Sequence, residues 1–372
     1  MIFGGLGGII ADRYLFPYLS ATKMFSQYSF LKKGREDITV INKTEQITIK
    51  EETSISKIAN QVSSSVVNII SHPNKEAKNT SAKKSVPGSN VKNGTGVIVT
   101  GDGMIMTYAS AINLENSRYK IMTYDSNVYD AEFLGLDAYS NLAFLKINAS
   151  NLPVASFGDS DTIKAGEKIV AVANSYGSYA NRYATGLISD FNPKYNLAGL
   201  SLSSSEKLEG VFETDFNDKQ YFVGGPVVDY SGQVAGIVGV VEKDNLPSYF
   251  LIPSKKVQNI VNRAVKKELN ETPSLGVYYV SLDKSYALEN DLNVEVGALI
   301  YSASGQNGLA VIANSPAQKA GLKIGDIIVS MDGEQISAEN SLADLLYRHK
   351  KGEQINLKVL RDGKEIKISV QL

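Results

Sequence analysis

The chain has 372 residues, 43% of them hydrophobic and 21% charged. At roughly 100–200 residues per domain, these proportions predict about two or three globular domains and exclude a wholly disordered or fibrous chain. Lys+Arg 38 against Asp+Glu 39 leaves a net charge of -1, so no overall basic field exists to hold nucleic acid by its phosphates. Cysteine is absent, which excludes disulfides, thiolate zinc sites, iron–sulfur clusters and a cysteine nucleophile. Histidine occurs only as His72 and His349, so any chemistry that needs an imidazole base must use one of these.

Met1–Ala11 is apolar and glycine-rich, and Asp12 and Arg13 end it. It covers about half of a hydrocarbon core, which needs ~20 residues. Three readings fit: the end of a membrane anchor that begins outside this sequence, the core of a short signal sequence, or an ordinary buried segment. Tyr14, Phe16 and Tyr18 suit an interfacial aromatic belt, so residues 1–19 are read as an anchor remnant or signal-like segment. The GGLGG run is no dinucleotide fingerprint, since no strand precedes it and no acidic residue follows at the right distance. Residues 20–54 are polar and mixed in charge and read as a linker or oligomerisation arm. Ile55, Ile58, Ala59 and Val62 recur at helical spacing, and Ser65–Ile70 reads as a buried strand. Residues 73–93 carry almost no large apolar side chain and predict a long exposed loop.

From Gly94 the pattern changes to short strands with turn signals. GVIV, then Thr100-Gly101-Asp102-Gly103, then MIMT, predicts a hairpin. Further strands are expected near 119–124, 128–135, 142–147, 167–174, 183–190, 208–214, 226–229, 233–241 and 249–252. Strands at that spacing with hardly a helix between them predict antiparallel barrels or a sandwich. A helix from Ser254 to about Lys267, with Val257, Ile260, Val261, Ala264 and Val265 on its apolar face, closes a domain over 55–267. The polar ELNETP run at 268–273 suits a boundary, and 272–372 forms a second domain. That domain is expected to hold strands near 275–280, 298–303, 309–313, 326–331, 355–361 and 364–371, and helices at 316–321 and 338–350.

These residues carry a resemblance. NGTGVIVTGDGMIMT, SNLAFLKI, GLIS, ETD, GGPVVDYSGQVAGIVG and YFLIPS together resemble the HtrA (DegP-like) serine protease family. SLGV, SPAQKAGLKIGDIIVSMDGEQI and VLRDGKEIKISV resemble the PDZ domain that follows that protease domain. The resemblance spans roughly 55–372 and implies a mainly β chain: a trypsin-like double β-barrel, then an α+β PDZ domain. It also implies where a catalytic triad belongs. The family's TNxH motif reads Thr107-Tyr108-Ala109-Ser110 here, with Ser110 at the histidine's place. Its Asp-Leu-Ala reads Asn141-Leu142-Ala143, and its Gly-Asn-Ser-Gly-Gly-Pro reads Tyr221-Phe222-Val223-Gly224-Gly225-Pro226.

Acyl transfer by serine needs a hydroxyl, a base in hydrogen-bond reach and a group orienting that base. Val223 has no heteroatom, Ser110 is no base near neutral pH, and Asn141 carries no charge. The family's oxyanion loop has glycine where Tyr221 stands, and Tyr221 and Phe222 are expected to distort it. The triad positions Ser110, Asn141 and Val223 are therefore read as degenerate, with no catalytic residue assigned. His72 reads as a solvated loop residue, and His349, beside Arg348, Lys350 and Lys351, as part of a basic helix C-terminus. Ser281–Lys284 fits S-x-x-K without supporting context. Asp159 and Asp161 read as turn and cap residues rather than metal ligands, Asp215 as a scaffold residue, and Tyr176, Tyr179 and Tyr183 as strand-surface tyrosines. No metal or other cofactor is expected.

A PDZ domain captures a chain end as an added strand, with loop N–H groups on its carboxylate. By resemblance that loop is Ser274-Leu275-Gly276-Val277, the edge strand is Val277, Tyr278, Tyr279 and Val280, and Leu342, Leu345 and Leu346 belong to the pocket wall or to the core. The leading expectation is a catalytically inactive HtrA-like protein that binds peptides, C-termini or unfolded chains in the bacterial envelope, as scaffold, chaperone or regulator. The resemblance also implies a homo-oligomer, a trimer built with the 20–54 arm through Phe25, Tyr28 and Phe30, or co-assembly with an active relative. Two alternatives stand: an active serine endopeptidase with a non-standard site, and a structural envelope assembly protein.

Overall fold

The computed structural model describes residues 11–15, 18–19, 55–74, 91–174, 181–200, 202–305, 307–338 and 340–372. The arm at 20–54, Tyr176 and Tyr179 lie outside these, as do residues 1–10 of the proposed anchor. Residues 1–58 form one unit and 59–372 another. In the first, Ala11–Leu15 makes one π-helical turn, with Tyr14 and Leu15 exposed. Among the described residues, no helix is long and apolar enough to cross a membrane.

The second unit begins in the expected amphipathic helix, which spans 55–63. The first barrel is β1 (Val66–Pro73), β2 (Lys92–Ile98), β3 (Met104–Tyr108), β4 (Ser117–Met122), β5 (Val128–Asp137) and β6 (Leu142–Ile147). They close in the order β1-β2-β3-β6-β5-β4. The β2–β3 hairpin has the predicted turn, with Gly103 at φ +100, where a Cβ would lie 2.6 Å from the Ile147 carbonyl oxygen. Strand β3 is buried along its whole length, Thr107 included, whose hydroxyl donates to the Thr95 carbonyl at 2.6 Å, whereas β5 mostly alternates between exposed and half-buried positions.

The second barrel contains β7 (Lys168–Asn174), β8 (Asn181–Asn196), β10 (Glu209–Thr214), β11 (Pro226–Asp229), β12 (Val234–Lys243) and β13 (Leu246–Pro253), in the order β10-β13-β12-β11-β7-β8. Between β8 and β10 lies a two-residue strand, β9 (Ser203–Ser204). The helix Ser254–Val265 packs Val257, Ile260, Val261 and Ala264 inward as expected. Val265 instead faces solvent and Arg263 is buried, because the Arg263 guanidinium reaches the carbonyls of Tyr347 at 3.0 Å and His349 at 3.2 Å.

The last domain is a sheet of β14 (Tyr278–Leu282), β15 (Gly297–Ile300), β16 (Ile327–Met331), β17 (Glu334–Gln335), β18 (Gln354–Arg361) and β19 (Lys364–Gln371), with order β19-β18-β16-β15-β14-β9 and β17 on β16. Three expectations are corrected here. Residues 309–313 are no strand: Asn307–Ala310 is helical and only Val311 bridges to Val277, since the chain turns at Asn314 (φ +63) before Pro316. The helix expected over 338–350 is Leu342–Tyr347, because the Ser341 hydroxyl accepts from the Asp344 N–H and starts the helix there. The strand expected as a free edge is covered: β9 of the barrel domain pairs with β14, Tyr278 opposite Ser204 and Tyr279 opposite Ser203. A helix at Lys284–Glu289, capped by Asp283, had no clear sequence signal.

Candidate functional sites

The barrels meet where Gly224, at φ +83, passes the first barrel so closely that a Cβ would lie 2.4 Å from Thr107 Oγ1 and 2.6 Å from the Thr95 carbonyl oxygen. Beside this contact is a cavity of about 420 Å³. Ser110 and Val223 both line it, with Tyr221, Asn174 and Arg182. Neither His72 nor His349 is among its lining residues. Asn141 is held nearby through its backbone, its carbonyl accepting from the Ala109 N–H at 2.8 Å. Its side chain is committed elsewhere: Nδ2 donates to the Tyr108 hydroxyl at 3.3 Å, and Oδ1 accepts from Lys207 Nζ at 3.2 Å. Burial lowers the Lys207 ammonium's pKa, but the groups it contacts here are the Ala138 carbonyl and Asn141, not a serine hydroxyl.

Lys219–Phe222 is a short 3₁₀ turn. The Tyr221 N–H therefore donates to the Asp218 carbonyl at 3.0 Å and is unavailable to an oxyanion in the cavity. The Tyr221 ring is half exposed, with the Arg182 guanidinium 4.1 Å from its centroid. Phe222 is buried in the second barrel, edge-on to Phe216 at 5.5 Å, and serves as a core residue of the turn.

A larger cavity, about 890 Å³, lies between the helix Ser254–Val265 and the last domain. Its cations are largely spent on bonds within the fold. Lys256 pairs with Asp344 at 2.7 Å, Arg348 with Glu334 at 2.6 Å and Lys350 with Glu268 at 2.6 Å. His349 Nδ1 sits 3.1 Å from Glu353. Asp159 caps a turn by accepting from the Asp161 N–H, and Asp215 accepts from the Leu187 N–H at 2.6 Å, pinning β8 to β10. Tyr183 packs its hydroxyl 2.5 Å from Ser63 Oγ. Among the described residues no cluster of ligating side chains suits a metal ion.

The loop before β14 brings the remaining candidates together. Gly276 adopts φ +83 and lies so close to Ser315 that a Cβ there would meet Ser315 Cβ at 2.3 Å. The N–H groups of Leu275 and Gly276 converge on one acceptor, Glu206 Oε1, at 3.0 and 2.7 Å. Leu275, Val277, Leu342, Leu345 and Leu346 are buried in the domain's core, while Tyr278 is only partly covered. Glu206 and Ser203–Ser205 carry no motif, and sequence reasoning passed over them. A polar SSSE run reads as loop until a sheet edge is brought to it.

The same segment leads to Glu209, which is fully buried and accepts three hydroxyl bonds: from Ser203 at 2.7 Å, Tyr279 at 2.5 Å and Ser281 at 2.6 Å. Burial raises its pKa above the ordinary 4.5, against the hydroxyls that lower it. Between 4.5 and that raised value the folded state binds more protons than the unfolded chain, so this group's share of stability falls as pH rises. Burial raises Asp137 in the same direction. Glu209→Gln is expected to flatten part of the decline in thermal midpoint above pH about 4.5. Thermal unfolding across a pH series checks this, and an unchanged slope would show that Glu209 does not titrate there.

Two closed six-stranded barrels with a cleft between them, followed by a sheet with a carboxylate-holding loop, define a trypsin-like peptidase fold joined to a PDZ domain. The family comparisons agree: the trypsin-like peptidase domain matches residues 94–237, and the PDZ domain matches residues 273–372. The chain is 31% identical over 293 residues to the serine protease Do-like HtrA of Lactobacillus helveticus, covering 75% of this chain and 68% of that protein. It is 28% identical over 338 residues to the serine protease Do-like HtrA of Bacillus subtilis, covering 87% of this chain and 73% of that one. With a probable periplasmic serine endoprotease DegP-like of Marinomonas it shares 31% over 282 residues, which is 75% of this chain but only 56% of that protein. The solved structure of the HtrA-type protease AlgW with tripeptide has the same fold, at TM-score 0.65 and 22% identity, covering 85% of this chain and 95% of that one. The chain belongs to the HtrA family.

Proposed function

We propose that this HtrA-family chain cleaves no peptide bonds and acts by capturing chain termini through its PDZ domain. One observation carries the reading: where the family's motif has its nucleophile, Val223 lines the cleft, and neither imidazole of the chain contributes to that cleft. A valine side chain cannot attack a carbonyl, and Ser110 cannot take a proton from anything that would. The bond from the Tyr221 N–H to Asp218 removes one oxyanion donor as well. A PDZ fold needs none of these groups to bind a chain end. The periplasmic name of the Marinomonas relative supports an envelope location; in this reading the apolar N-terminal segment serves as anchor and the 20–54 arm as the oligomer contact.

Two measurements test this. The purified chain should show no labelling by a fluorophosphonate probe under conditions that label a Ser-His-Asp relative. An array of peptides with free C-termini should show saturable, micromolar binding. Labelling would return the chain to the active endopeptidases, and a blank array would favour an assembly role.

A further inference from the structure

We propose that the peptide groove of this PDZ domain is filled by the chain itself, with residues Ser203–Glu206 as a built-in ligand and the Glu206 side chain in place of a C-terminal carboxylate. The proposal rests on the peptide-capture reading above. A captured peptide runs antiparallel to the groove strand and ends at the loop preceding it. The segment does both. Ser203 lies opposite Tyr279 and Ser204 opposite Tyr278. Ser205 continues the ladder, its N–H donating to the Val277 carbonyl at 3.1 Å and its hydroxyl accepting from the Val277 N–H at 3.1 Å.

Glu206 then arrives at the loop. Its Oε1 accepts from the N–H groups of Leu275 at 3.0 Å and Gly276 at 2.7 Å, and from the hydroxyls of Ser205 at 2.8 Å and Ser274 at 3.3 Å. Its Oε2 accepts from the Ser204 hydroxyl at 3.0 Å. Two converging backbone donors on one carboxylate oxygen is the arrangement a chain end requires. Here the backbone continues past Glu206 to Leu208, whose N–H donates to the Tyr139 carbonyl at 2.9 Å, so the ligand is tethered to the barrel domain at both ends.

Two consequences follow. An incoming peptide competes with an occupant at high effective concentration, so its apparent affinity is the intrinsic one reduced by the fraction of open groove. Displacing Ser203 also removes one of the hydroxyls on Glu209, whose other partners, Tyr279 and Ser281, belong to the PDZ domain. Peptide capture and domain docking therefore oppose one another.

The test uses the full chain and fluorescent decapeptide pools, one for each C-terminal residue type, as free acids and as amides. Glu206→Ala should bind the free-acid pools at least about tenfold tighter than the unmodified chain, with the amides weaker. Because the chain holds no cysteine, Ser204→Cys with Tyr278→Cys supplies a single pair across the register. Its oxidised form should bind nothing, and reduction should restore binding. In the absence of peptide, amide exchange at Leu275 and Gly276 should be slow in the unmodified chain and at least about tenfold faster in Glu206→Ala. Unchanged exchange overturns the proposal whatever the binding shows. Equal binding by every form, oxidised included, overturns it while peptide capture stands. Faster exchange with no binding by any form supports the internal ligand and removes peptide capture instead.

Discussion

Ser110→His, Asn141→Asp and Val223→Ser, introduced together, are expected to bring casein hydrolysis to a level about 10²–10³ below that of an active relative. Losing a whole triad costs on the order of 10⁶ in turnover in the best-measured case, so restoring it is the largest change three side chains can offer. The backbone is what withholds part of the gain. The 3₁₀ turn Lys219–Phe222 ties the Tyr221 N–H to Asp218, and one missing oxyanion donor costs about 10²–10³. Asn141 is no obstacle, since its φ of +61 is tolerated by aspartate. Adding Tyr221→Gly frees the backbone and removes the ring stacked on Arg182, and should raise probe labelling above that of the triple variant. Fluorophosphonate labelling of the unmodified chain, the triple variant and the variant with Tyr221→Gly added checks the order. Full activity in the triple variant would show that the turn opens when substrate binds.

Tyr347→Ala should cost about 3–5 kcal/mol, the range of a large buried aromatic, and loosen the PDZ domain from the barrels. Tyr347 stacks on Tyr139 with ring centroids 4.0 Å apart, and its hydroxyl donates to the buried Asp137 at 2.8 Å. The Arg263 guanidinium covers its ring at 4.6 Å. Tyr347→Phe keeps the stack and removes one donor from Asp137, so it should cost about 1–3 kcal/mol. Urea unfolding of the two variants separates ring from hydroxyl. Equal losses would assign the effect to the Asp137 bond alone. Neighbouring bonds make the site sensitive: Tyr139 donates to Asp344 at 2.6 Å, and Lys256 pairs with the same carboxylate.

Period and turn chemistry made most of the architecture readable from the residues. The β2–β3 hairpin needs Gly103 at positive φ, and the Ser254–Val265 helix shows its buried face as an i, i+3, i+4 pattern. The substitutions at Ser110, Asn141 and Val223 are equally visible, because a missing heteroatom is a property of the residue and not of its surroundings. What failed locally had long-range causes. Residues 309–313 look like a strand by composition, yet only Val311 finds a partner. Val265 fits the apolar face but lies outside it, since Arg263 is drawn inward by carbonyls more than 80 residues away.

The occupied groove belongs wholly to that second kind. Nothing in SSSE distinguishes Glu206 from any surface glutamate. Its partners, Leu275 and Gly276, lie 69 and 70 residues further along the chain, and Glu209 meets Tyr279 and Ser281 across similar separations. Composition and spacing determine which backbone shapes are cheap and which side chains can react. Which carboxylate reaches which N–H pair is decided when a segment leaving the second barrel pairs with the edge of the last domain's open sheet, and that depends on tertiary packing alone.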